Sequence, residues 1–192
     1  MGTVYDDHGD VASPYGHRVE ATVYAARRTN GVEKALEGTE VTVTAYDCFG
    51  NEVATENATI SNRGGEDGIR FMYEDGNELR AEAFPDYSVI RYVVTANVDG
   101  KEYTDVNFNL KTAEDDLVYS SDNSLFFLLI NEDETVNTSL TDIEVSGGYN
   151  IDKSHLDHGL LMVQVAQGES VTVNGKEYTK PLGARVIPIV VQ

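Results

Sequence analysis

The chain predicts an all-β protein built as two modules in series, on three observations. Apolar residues recur at every second position in nearly every informative segment, the signature of strands with one buried face. Asp99-Gly100 and Asn174-Gly175 each separate two such segments, and these dipeptides supply the positive φ that a two-residue hairpin requires. Helical periodicity is missing; only Val32 to Leu36 is expected to make a single turn.

The elements follow in order. Residues 1–18 read as a polar N-terminal arm, with His8 inside Asp6-Asp7-His8-Gly9-Asp10, either loose or docked on a neighbour. The first expected strand carries Val19, Ala21, Val23 and Ala25 on one side. Val41, Val43 and Ala45 repeat the pattern, with Thr42, Thr44 and Tyr46 opposite. A turn from Asp47 to Glu52 leads into Val53-Ala54-Thr55 and Ala58-Thr59-Ile60, and Ile69 to Tyr73 forms another short strand. Tyr92, Val94, Ala96 and Val98 run to Asp99-Gly100, and the return strand presents Tyr103, Val106, Phe108 and Leu110. About seven strands in roughly 110 residues match the architecture of an immunoglobulin-like β-sandwich, assigned to residues 19–112. The disulfide and tryptophan of antibody domains are absent.

Lys111 to Asp116 is polar, acidic and aperiodic, and reads as a protease-accessible linker. Residues 113–192 then form a C-terminal β-domain, a second small β-sandwich or jelly-roll-like module. Its strands are expected around Leu125 to Ile130, Asp142 to Val145, Leu161 to Val165, Val171 to Val173 and Val186 to Val191, with the third and fourth meeting across Gln167-Gly168-Glu169. Pro188 cannot donate to a ladder, so the last strand belongs at an edge or at a bulge. Val98 to Thr104 recurs as Val173 to Thr179, a duplicated domain or two independent good hairpins.

Acidic residues number 33 against 14 Lys plus Arg in 192 residues, a net charge of −19. Such a surface repels itself at ordinary ionic strength. At molar salt the Debye length falls to about 3 Å and the repulsion is screened, so the composition points to a very salty medium. The same balance argues against nucleic-acid partners, because phosphate binding needs a basic patch and Arg27-Arg28 is the one adjacent basic pair. No run approaches the ~20 apolar residues of a membrane span. The first residues lack the basic and apolar regions of a secretory leader, and if none has been removed ahead of them, synthesis in the cytoplasm is expected. The single Cys48 excludes an internal disulfide and reads as a small buried thiol.

The chemistry-bearing candidates are few. Asp152, His155, Asp157 and His158 lie within eight residues, and two imidazoles with a carboxylate are a donor set for a transition metal. The spacing needs a helical turn and lacks a third anchor, so a solvated loop between strands is the competing reading. Acidic loops such as Asn131-Glu132-Asp133-Glu134 are expected to gather K+, Na+ or Mg2+ only as diffuse counterions, without a resident cofactor. Ser154 beside His155 is adjacency rather than a triad, and no nucleophile elbow or phosphate loop is present. The sequons Asn57-Ala58-Thr59 and Asn137-Thr138-Ser139 matter only for an exported chain. Leu125, Phe126, Phe127, Leu128, Leu129 and Ile130 are continuously apolar, so both faces of that strand need cover. Either a neighbouring copy or a second sheet of the same module is expected to provide it, the first making these six residues an oligomer interface.

The module from Val19 to Leu110, above all Thr39 to Asp47 with the following Gly50-Asn51 and the hairpin from Tyr92 to Leu110, resembles the immunoglobulin-like accessory virion proteins of tailed viruses, here of haloarchaeal hosts. The likeness covers a little over half the chain and transfers no binding residue. It implies a non-enzymatic structural protein, a capsid decoration, turret or tail component, made in the host cytoplasm and located in the virion. Its partners would be copies of itself, as a trimer or higher homo-oligomer, and other virion proteins such as the major capsid protein. The rival is a cell-surface or carbohydrate-binding β-module of a halophilic archaeon, with Tyr73, Tyr87, Tyr92 and Tyr119 as stacking platforms. A small enzyme is the third reading.

Overall fold

In the computed structural model, residues 2–6, 20–35, 37–60, 66–70, 83–113, 118–119, 122–183 and 185–192 are described. They form an all-β structure of fifteen strands, and the one helical piece among them is a 3-10 turn. The first eight strands are β1 (Gly2–Asp6), β2 (Glu20–Thr29), β3 (Val32–Ala35), β4 (Glu40–Tyr46), β5 (Glu52–Thr59), β6 (Glu66–Arg70), β7 (Ser88–Val98) and β8 (Lys101–Lys111). The next are β9 (Ser124–Ile130), β10 (Val145–Gly147) and β11 (Asn150–Asp152), followed by the 3-10 turn Leu156–His158. The chain finishes through β12 (Leu160–Gln164), β13 (Ser170–Val173), β14 (Lys176–Thr179) and β15 (Arg185–Val190).

The strands make four sheets. One runs β1-β2-β3 with β6 also on β2; a second runs β5-β4-β7-β8. The third is β10-β13-β14 and the fourth β11-β12-β9-β15. In β4 the alternation is clean, with Val41, Val43 and Ala45 buried between half-exposed Thr42, Thr44 and Tyr46. The hairpins form as the dipeptides demand: Asp99 and Gly100 take φ of 54° and 79°, Asn174 and Gly175 φ of 48° and 82°.

Several expectations change: residues 2–6 of the expected arm form β1 on β2, and the strand expected from Asp142 to Val145 is β10 at Val145–Gly147. Residues 32–35 make no helical turn; they return as β3 against β2, because the Asn30-Gly31 turn pairs them with an existing strand, and Leu36 lies outside the described residues. The two pieces expected after the Asp47 turn are one continuous strand, Glu52–Thr59. The β12 and β13 segments do not pair across Gly168. They lie in different sheets, and Leu161 and Val163 meet Val171 and Val173 through side chains in one buried cluster. The supposed linker begins inside the structure: Lys111 is 6% and Thr112 2% exposed. The Lys111 ammonium donates to the Phe84 carbonyl at 2.8 Å and pairs with Asp86 at 2.9 Å. Residues 114–117 lie outside the described residues, as do Tyr73, His8 and the arm from residue 7 onward.

Pro188 stands where expected, in β15 at the edge of its sheet, although β15 pairs with β9 in parallel. The apolar run forms β9, central in that sheet, with every residue buried. Its alternate side chains enter two different clusters. Leu125, Phe127 and Leu129 join Leu161, Val163, Val171, Val173, Tyr178 and Ile187, drawn from both C-terminal sheets. Phe126, Leu128 and Ile130 join Leu160 and Met162 on one side and Val89 and Leu110 of β7 and β8 on the other. Both faces of β9 are therefore covered within one chain, and the cover for the second face includes β7 and β8 of the sheet β5-β4-β7-β8.

Candidate functional site at the junction of the sheets

A run of polar and aromatic groups sits where the sheet of β7 and β8 meets the C-terminal strands. From the N-terminal side come Phe49, at the tip of the β4–β5 turn, and Tyr87, just before β7. The turn is set by Asp47, whose carboxylate accepts from the Phe49 and Asn51 backbone N–H, both at 2.9 Å, and from Asn51 Nδ2 at 3.0 Å. Tyr87 has φ of 54°, a left-handed conformation that a large side chain adopts only when its surroundings hold it there.

From the C-terminal side come Tyr119, Asp152 and the two histidines. The 3-10 turn places His155 and His158 with nearly parallel rings, centroids 5.9 Å apart and 27° between planes. Tyr87 lies on His155 at 4.8 Å and meets Tyr119 edge-on at 6.0 Å; Phe49 meets His158 edge-on at 5.8 Å. His158 Nδ1 is 3.3 Å from the Tyr87 carbonyl oxygen, close enough for Nδ1–H to donate. The five rings make one unbroken run across the junction.

The metal set does not assemble. Asp152 spends one carboxylate oxygen on the Tyr119 hydroxyl and the other on Ser154, whose N–H and Oγ donate at 2.8 and 2.5 Å. Burial opposes ionisation of Asp152, but the hydrogen bonds from Ser154 and Tyr119 and the charge of His155 hold its carboxyl below the usual range. Burial, then the neighbouring Asp152, pushes the Tyr119 phenol up. Asp157 is exposed, and no three His, Cys, Asp or Glu among the described residues gather as a metal-holding group. The helical turn that the His-x-x-His spacing needs is present, and it sets the imidazoles against each other and against the rings of Tyr87 and Phe49.

Cys48 is 2% exposed, and burial followed by the charge of Asp47 raises its thiol to about 12. The six apolar residues Leu125 to Ile130 of β9 are all buried and line no surface. Of the proposed tyrosine platforms, Tyr92 is wholly buried, Tyr87 and Tyr119 are half-buried in the ring run, and Tyr73 lies outside the described residues. Phe49 and Tyr87 carried no signal in the alternation, because they sit in turns between strands.

Two open clefts lie elsewhere. One of about 750 Å³ is bordered by Leu140, Asp142, Lys153, Asn174, Val190 and Gln192, with Lys153 holding Asp142 at 2.7 Å. The other, about 600 Å³, is bordered by Glu37, Glu40, Asn97 and Asp99. No protein-family model matches the chain, and no curated protein matches it either.

Proposed function

We propose that this chain is a non-enzymatic structural protein of a halophilic tailed virus, a capsid decoration, turret or tail accessory component that assembles with itself and with other virion proteins. The observation that carries the reading is the division of the material. Buried apolar residues of β9 tie the sheet that holds β7 and β8 to the two C-terminal sheets, while the chain as a whole carries a net charge of −19. A stiff β block with a strongly hydrated acidic coat suits a passive part of a particle in concentrated salt. Under this reading the sheet of β1, β2, β3 and β6 and the sheet of β5, β4, β7 and β8 are the two leaves of an immunoglobulin-like sandwich. The contacts of β1 with β7 and β8, and of β5 with β6, support that arrangement. The sheets β10-β13-β14 and β11-β12-β9-β15, with their common buried cluster, are the second small sandwich.

Two observations test it. The genes beside the coding sequence should include a major capsid protein or a capsid protease, and a neighbourhood of secretion or sugar-uptake genes would favour a cell-surface module instead. Sedimentation of the purified chain at molar salt should show a trimer or larger species; a monomer at micromolar concentration would leave assembly only on a host particle.

A further inference from the structure

We propose that β1 is an exchangeable strand: in assemblies of this chain, β1 of one copy pairs with residues 21–25 of β2 in the next. The inference rests on the self-assembly reading above and names the surface through which it works.

The register pairs Gly2 with Ala25 and Asp6 with Ala21, so the facing ends of the two strands are adjacent in space. Between the end of β1 at position 6 and the start of β2 at position 20 stand residues 7–19, thirteen positions. Antiparallel neighbours are normally joined by about 2–5 residues. A connection of this length reaches up to about 45 Å, whereas a compact chain of 192 residues has a radius of gyration of about 16 Å. It is long enough for β1 to occupy the same slot in an adjacent copy.

The slot itself is specific. β6 pairs with residues 20–24 of β2, β1 takes residues 21–25, and β1 also lies against β7 and β8. Among the described residues β1 is the one strand that pairs with that edge of β2 at positions 21–25, and it supplies the contacts of that edge with β7 and β8. A neighbour's β1 restores the same hydrogen bonds and contacts, so exchange is nearly neutral in contact energy. It is then governed by concentration against a tether worth on the order of millimolar. Packing copies on a particle raises the local concentration, and molar salt screens the repulsion between chains of charge −19.

The test uses the full chain with Cys48→Ala. Val4 is paired with Val23 and Thr3 with Tyr24, and adjacent antiparallel pairs alternate in Cα separation, so one of the two pairs suits a disulfide. The double variants Val4→Cys/Val23→Cys and Thr3→Cys/Tyr24→Cys are oxidised at low and at molar salt, and non-reducing gels are read beside sedimentation. A mixture of the corresponding single-substitution chains is treated alike. Exchange expects covalent multimers from a double variant in the assembled fraction. From the mixture it expects dimers linked between position 4 of one chain and position 23 of the other, or between positions 3 and 24. Assembled material linked only within chains overturns exchange and leaves self-assembly standing. A chain that stays monomeric overturns both, and failure of both pairs to oxidise under any condition overturns the β1 slot itself.

Discussion

Single residues at the junction hold the two halves in register. Gly159, the residue that ends the 3-10 turn, has φ of 75°. A Cβ there would overlap Val136 Cγ1 and stand 3.2 Å from the Asn137 carbonyl oxygen and 3.5 Å from Val89 Cγ2. Gly159→Ala therefore combines left-handed strain with overpacking and should cost about 2–5 kcal/mol in denaturant unfolding. Loss under about 0.5 kcal/mol, the usual scatter of a surface change, would mean that the turn does not abut β7. Asp152 supplies a pH dependence. Its folded carboxyl lies below the unfolded value, so its stabilisation is full above about pH 4, the unfolded value, and is lost as pH falls through the folded one. Asp152→Asn should flatten that segment of the stability profile; an unchanged slope between mildly and strongly acidic buffers would show that the Tyr119–Asp152–Ser154 bonds contribute nothing.

At the scale of elements, β9 is the shared beam. Phe127 packs edge-on to Tyr178 at 5.2 Å inside the C-terminal core, while Phe126 faces Val89 and Leu110. Each Phe→Ala change should cost about 3–5 kcal/mol. The two losses should differ in place. Phe126→Ala should raise amide exchange in β7 and β8 as well as in β9, whereas Phe127→Ala should raise it in β13 and β14 and spare β7. Identical exchange maps would mean that β9 does not separate two cores. The alternation of β4 and the hairpin dipeptides were legible in sequence because period and turn chemistry are local. The partners of β9 were not, since a continuously apolar strand announces two buried faces without saying what buries them.

Over the whole molecule, the charge and the shared core make separate demands. A net charge of −19 requires screening, so thermal stability followed by circular dichroism should climb steadily from low to molar KCl. Equal midpoints at both ends of the series would remove the halophilic reading. Because Val89 and Leu110 share one buried cluster with Phe126, Leu128 and Ile130, the two halves should also unfold together. Calorimetry should give one transition whose calorimetric and van't Hoff enthalpies agree. Two resolved transitions, or quick cleavage at the buried pair Lys111-Thr112, would restore the independent modules that the acidic stretch suggested.

By itself the sequence determined the all-β class, most strand positions, both positive-φ hairpins, the restriction of Pro188 to an edge or a bulge, and the acidic charge balance. These depend on side-chain period, on the φ of individual residues and on composition, all of which act within a few positions. Tertiary structure alone decided that β15 joins β9 in parallel, that β12 and β13 face each other across two sheets, and that β7 and β8 cover the second face of β9. It also decided that His155 and His158 stack within a run of rings. Each of these outcomes depends on which distant surface reaches an apolar or aromatic group first, and a local pattern carries no information about that partner.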